Sequence, residues 1–254
     1  MGGIYQRACS YQSVIRIPKT ASFMRNASEG RRLDTASVAG IAVFSSLALI
    51  LSGVSQAFGL NFPIIPYLQF DLGEVAILLA FFIFGPVPAI ASSFVEFAGL
   101  MVFGQQVPVG PLLKLFALLS TVAGLAAGAR LSSGLGEERL GRLLGSSAAI
   151  GAVVRAIVMT GANYYLIVFY YGLAAIEGFL KSSFSIVGIG LSDANALVII
   201  LAFTAIFNVL QLFLVTGASY FVLKVPAISR IKVAGKAPWF TMVLKGNSPV
   251  AKPL

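Results

Sequence analysis

The sequence predicts an all-α integral membrane protein, a compact bundle of six transmembrane helices with both termini in the cytoplasm. Three observations predict it. Of the 254 residues, 58% are hydrophobic and only 11% charged, with a mean hydropathy of +0.92, whereas soluble domains carry roughly a quarter charged residues. The apolar residues are gathered into runs long enough to cross a hydrocarbon layer of about 30 Å. The basic residues occupy alternate loops: Arg7, Arg16, Lys19, Arg25, Arg31 and Arg32 precede the first run. Arg130, Arg139 and Arg142 lie between the fourth and fifth, and Lys224, Arg230, Lys232, Lys236, Lys245 and Lys252 follow the last. The net charge of +9 therefore reads as a topology signal, by the positive-inside rule, and not as a nucleic-acid surface. The opposite loops hold Asp71, Glu74, Glu177 and Asp193, with Lys114 and Lys181 as their cations.

Residues 1–34 are basic and Ser-rich and lack the apolar stretch of a secretory signal, so they read as a disordered cytoplasmic tail, with a transit-like leader or a misassigned start upstream of Met24 as the alternatives. The membrane domain covers residues 35–225. Its first span, about residues 38–58, ends where Pro63 and Pro66 break the helix. The second, 72–84, is short and stops at Gly85-Pro86; the third, 89–104, follows so closely that the two form an antiparallel pair. The fourth runs over 112–129. The polar stretch 130–145, with Glu137 and Glu138 beside Arg139 and Arg142, reads as an exposed amphipathic helix. The fifth span covers 148–171, residues 172–193 form a Gly/Ser-rich outer loop, and the sixth covers 194–223. Residues 226–254 read as a basic cytoplasmic tail, solvated or lying on the membrane surface. No internal repeat is visible, which argues against inverted-repeat transporter folds.

Composition excludes several chemistries. With no His and one Cys (Cys9), the chain has no Ser-His or Cys-His dyad, no HExxH zinc site and no disulfide framework. Nine acidic residues, most near span ends, leave little for general acid–base catalysis. The expectation is a non-enzyme without cofactor or metal.

What needs explaining is the polarity inside the spans. Asp71 and Glu74 have the spacing of a helix capping box, with a ligand role left open for the preceding Tyr67-Leu-Gln-Phe70. Glu96 lies midway along the third span, where an ionised carboxylate costs on the order of 3 kcal/mol, so it is expected to be paired, protonated or facing a wet cavity. Ser92 and Ser93 extend its polar stripe, and Arg155 is its candidate partner unless it reaches for the interface. Thr204, Asn208 and Gln211 share one face of the sixth span; Asn163 with Thr160, Tyr164 and Tyr170 makes a comparable face on the fifth. Each alone reads as an interhelical hydrogen bond. Together they point to a central pocket for a small, amphipathic, largely uncharged ligand, amides matching the edge of a heterocycle and tyrosines its flat face. In the first span, Ala36, Ala39, Gly40, Ala42 and Ser46 make a small-residue seam, and Gly124-x-x-x-Gly128 in the fourth repeats the theme. Such seams serve either packing within the bundle or docking to another membrane protein.

Three segments resemble the substrate-binding S components of energy-coupling factor (ECF) vitamin transporters, the riboflavin-specific ones above all. They are F-P-I-I-P-Y-L-Q-F-D-L-G-E-V with the later F-I-F-G-P, then I-V-M-T-G-A-N-Y-Y, and I-F-N-V-L-Q. The resemblance extends over about residues 39–224. It implies a cell-membrane protein that captures riboflavin from outside and releases it inside by reorienting in the lipid with a T component, driven by two separate ATPase subunits. It further implies that Asn163 and Asn208 contact the vitamin and that Leu68 and its neighbour Gln69 belong to an occluding outer loop. Ala42-x-x-x-Ser46 would dock the T component. Tyr164, Glu96 and Gln211 complete the expected pocket. Two positions depart from the family's pattern: Gln211 stands where the sixth helix carries a lysine, and Glu96-Phe97 where the third carries Lys-Asn. The ligand expected from the resemblance and its departures is therefore riboflavin, a flavin-like compound or another heterocycle. A stand-alone facilitator for a small metabolite and a non-transporting membrane scaffold are the competing readings.

Overall fold

A computed structural model describes residues 34–131, 140–186, 188, 195–225 and 237–245. The expectations for residues 1–33 and for Glu137, Glu138 and Arg139 lie outside them. The described residues are almost wholly helical: α1 (Thr35–Ala57), α2 (Gly73–Phe84), α3 (Pro86–Phe103), α4 (Val109–Leu131), α5 (Leu140–Tyr165, continued by a π-helical segment Leu166–Tyr171), α6 (Leu173–Ile186), α7 (Ala196–Lys224) and α8 (Trp239–Leu244). Five of these, α1, α3, α4, α5 with its extension, and α7, are long and apolar enough to cross a membrane. The protein is a multi-pass membrane protein of the all-α class.

The sixth expected span, α2, has 12 residues, about 18 Å at the helical rise against a hydrocarbon core of about 30 Å. Its environment makes up for its length. Gly73, Glu74 and every residue from Ala76 to Phe82 are buried, so α2 is an internal helix wrapped by its neighbours and its ends need not reach both interfaces. The turn into α3 is made by Gly85, whose φ of +103° and ψ of −177° belong to a region essentially reserved for glycine; Pro86 then opens α3, where its missing N–H costs nothing.

The close approach of α4 to α5 explains the Gly124-x-x-x-Gly128 seam. A Cβ on Gly124 would stand 2.5 Å from Gly151 Cα, and one on Gly128 2.5 Å from Ser147 Cα, so the glycines let two backbones touch. This seam is internal packing. In α1 the small residues divide: Gly40 receives the Phe84 ring, leaving no room for a Cβ, while Ala42 and Ser46 are exposed, with the Ser46 hydroxyl donating back to the Ala42 carbonyl (2.9 Å).

Two expectations are corrected. Residues 172–193 are not simply a loop, because α6 occupies most of that stretch and buries Leu180 and Phe184. The tail after residue 226 is not simply solvated. Trp239, Phe240, Val243 and Leu244 of α8 are buried in the main apolar core, the indole meeting the Phe81 ring edge-on at 4.9 Å and lying against Gly85. Four apolar side chains in nine residues outweigh the lysines around them, since each buried large side chain contributes about 1.5–3 kcal/mol.

Candidate functional site: a cavity over a buried charge layer

At the end of the bundle opposite α8, residues 58–72 fold over the helix tips. The segment is fastened on several sides. Phe62 N–H donates to Leu68 O (2.6 Å) and Phe70 N–H to Leu60 O (2.7 Å); Gln69 donates to Ser55 O (2.8 Å), and Leu72 N–H to the Ser55 hydroxyl (2.9 Å). Phe62, Ile65 and Leu68 join Ile167, Leu180, Phe184 and Phe207 in a second apolar cluster. Beneath it is a cavity of about 320 Å³, walled by α1, α3, α4, α5 and α7 together with this segment. A second cavity of about 250 Å³, bounded by the π-helical segment, shares Tyr67, Gln106, Leu113 and Asn163 with the first.

The expected site residues distribute unevenly around it. Leu68, Gln69, Asn163 and Asn208 line the main cavity. Both asparagines tie one amide N–H to the carbonyl four residues back, Asn163 to Met159 (2.8 Å) and Asn208 to Thr204 (2.9 Å). Asn208 further accepts from Arg155 Nε (3.0 Å). The Asn163 oxygen has no partner among the described residues. Gln211 turns away from the cavity and donates to the Asp71 carbonyl (2.8 Å), so it fastens the loop. Tyr164 is not in the pocket: it is half exposed on the outer surface of α5 against Phe169, and Tyr170 is likewise outside. Asn163 faces inward, and its direct neighbour in sequence cannot share that face of a helix.

Glu96 is fully buried behind the cavity wall, and its partner is Lys114, not Arg155. The Lys114 ammonium bonds Glu96 Oε1 (2.6 Å), the Ser52 hydroxyl (2.6 Å) and Asp71. Ser52 Oγ lies 2.9 Å from Asp71 Oδ1 and 3.0 Å from Glu96 Oε1, while Glu96 Oε2 has no partner among the described residues. Lys114, expected as a loop cation, is thus an interior residue of α4. Arg155 does not snorkel. Its guanidinium clamps Glu74 through both carboxylate oxygens (2.6 and 2.8 Å) and touches Thr121 (3.2 Å). The two-donor geometry holds the charge in place, where an unpaired one would cost several kcal/mol. Asp71 and Glu74 therefore do not form a capping box: Asp71 Oδ1 accepts from Gly73 N–H (2.6 Å), the residue before α2 is Leu72 without a side-chain cap, and Glu74 is spent on Arg155.

Tyr67 is the site residue that the amide and carboxylate pattern did not single out. It lines both cavities, and its buried hydroxyl has no hydrogen-bond partner among the described residues. Burial pushes the phenol up to about 12; the Thr204 hydroxyl acts in the lowering direction and Tyr171 in the raising one. Thr204 is itself committed as donor to Ile200 O (2.9 Å). At neutral pH Tyr67 is an uncharged donor, and the Thr204 hydroxyl is the side chain beside it that could accept.

No protein-family model matches the sequence, and no curated protein matches it. Among solved structures, one described as the structure and mechanism of the S component of a bacterial ECF transporter matches with a TM-score of 0.55, at 22% identity, over 75% of this chain and 95% of that one. The chain has the S-component fold. The additional length here is the quarter of the chain outside the match.

Proposed function

We propose that the protein is the substrate-capture subunit of an ATP-driven vitamin uptake system, binding riboflavin or a related flat heterocycle in the cavity beneath residues 58–72. The observation that carries this reading is the cavity itself: about 320 Å³, of the size that holds a small organic ligand, under a fastened loop at one end of a membrane bundle with the S-component fold. Phe207 and Tyr67 offer aromatic surface and Asn163 offers the part of its amide not bonded to Met159 O, the pairing suited to a planar heterocycle. The exposed α1 face around Ala42 and Ser46 is where a T component docks. Reorientation of the bundle with that component, powered by two ATPase subunits, then delivers the ligand to the cytoplasm.

Riboflavin titrated into the purified protein, followed by quenching of flavin fluorescence, tests the ligand. Saturation at or below micromolar concentration is expected, and no quenching in that range removes riboflavin. Asn163→Ala is expected to weaken binding by about 1–3 kcal/mol; an unchanged affinity with lowered stability assigns the amide to helix packing alone. Ala42→Trp is expected to leave affinity intact and to abolish co-purification with a T component.

A further inference from the structure

Resting on that reading, we propose that the cavity admits only ligands without a negative charge, with the Tyr67 hydroxyl and the Asn163 amide as its polar anchors, and rejects phosphorylated or carboxylated relatives. Four charged side chains line the cavity: Asp71, Glu74, Lys114 and Arg155. Two cations in a binding site usually announce an anionic ligand. Here nearly all of their donors are already spent. An ammonium has three donors, and those of Lys114 meet Asp71, Glu96 and Ser52. Of the five guanidinium donors, Arg155 has placed Nε on Asn208, Nη1 on Glu74 and Thr121, and Nη2 on Glu74. One N–H remains.

The charge count points the same way. Glu96, bonded to Lys114 from behind, adds a third carboxylate to the layer, so three acids face two bases. A ligand phosphate or carboxylate brings further negative charge against that layer, in a region of low dielectric where the repulsion is poorly screened. What remains for a ligand is neutral. Among the described residues Tyr67 Oη makes no hydrogen bond, with the Thr204 hydroxyl as its neighbour, the Asn163 amide has one N–H tied to Met159 O, and both residues border the two cavities at once. Gln69 has spent an amide N–H on Ser55 O, and Asn61, Gln105 and Gln106 are exposed at the end of the bundle.

The test is the affinity of matched pairs that differ in a phosphate or carboxylate: riboflavin against riboflavin 5′-phosphate, pyridoxal against pyridoxal 5′-phosphate, pantothenol against pantothenate. Melting temperature and direct titration in detergent are the readouts. The member without negative charge is expected to bind about 100-fold tighter. Equal affinity for riboflavin and its phosphate overturns the inference and leaves the flavin reading standing. Binding of another uncharged or cationic vitamin without riboflavin overturns the flavin identity alone; a protein stabilised by no such member of the panel overturns the inference.

Steric rejection of a phosphate is separated from electrostatic rejection by Glu74→Gln, which keeps the shape and frees guanidinium donors. The gap within the binding pair is expected to close by about tenfold, and an unchanged gap overturns the electrostatic cause. If Glu74→Gln does not fold, Asp71→Asn asks the same of Lys114. Tyr67→Phe is expected to lower affinity for the uncharged member about tenfold at unchanged melting temperature. Undiminished affinity removes Tyr67 as an anchor.

Discussion

The two ends of the bundle are closed by different means. At the α2–α3 turn the seal is apolar and tight: Trp239 sits against Gly85 and Phe81, and Phe240, Val243 and Leu244 continue the main core. At the opposite end the closure is a non-helical segment whose underside is aromatic, with Phe207 at 5.5 Å from Phe62 and 5.0 Å from Phe70, and it stands over open volume. Between the two lies the charge layer of Asp71, Glu74, Glu96, Lys114 and Arg155. The difference teaches where the molecule keeps stability and where it keeps function. Filled apolar contacts hold the α8 end, while the loop end retains open volume, which interiors otherwise avoid.

The division can be broken at the layer between the ends. Arg155→Met strands the Glu74 carboxylate, so a loss of about 3–5 kcal/mol is expected, measured as a shift in the denaturation midpoint in detergent. Arg155→Met with Glu74→Gln should recover much of it, and failure to recover would show that Arg155 acts through Asn208 and Thr121 instead. Trp239→Ala, at the sealed end, is expected to cost about 3 kcal/mol with ligand affinity unchanged; an equal fall in affinity would mean the ends are coupled. Gly124→Val forces α4 away from α5 and should cost about 1–3 kcal/mol by the same assay.

The smallest effect belongs to the loop end and is read through pH. The Tyr67 phenol, raised from 10.0 to about 12, keeps its proton longer in the folded state. Folded protein therefore binds more protons than unfolded over that interval, and stability falls as pH rises from 10 to 12. The contribution is about 1–2 kcal/mol, visible as a shallower alkaline loss in Tyr67→Phe than in the wild type.

Much of this architecture is legible in the sequence because hydropathy is a bulk signal. The expected second span at 72–84 is α2 at Gly73–Phe84, and the others agree within several residues. The elements that escaped are those whose signal is short or diluted. Between Leu173 and Ile186 the Gly and Ser content obscures a helical spacing of Ile176, Leu180 and Phe184, the residues that pack inward. α8, with 6 residues, is too short for any periodicity. At the site, sequence marks which residues are out of place in a membrane but not which of them meet. Glu96 is visibly in need of a cation, yet the choice of Lys114 over Arg155 depends on how α3, α4 and α5 rotate against one another. Tyr67 is marked in the sequence only as part of the Tyr67-Leu-Gln-Phe70 stretch, since a tyrosine in a loop near an interface is ordinary; its buried hydroxyl, without a hydrogen bond among the described residues, sets it apart.

Ser52 carries a consequence of its own. Its hydroxyl has a single proton to give, and both Asp71 Oδ1 and Glu96 Oε1 stand at bonding distance, while Lys114 donates to the same oxygen. The proton can point at one carboxylate or the other by turning about one C–O bond. α1 thus contributes a rotor with two settings, each leaving a different acid short of one bond. Removing it with Ser52→Ala would take no charge from the bundle, yet would erase the freedom by which two carboxylates share one ammonium.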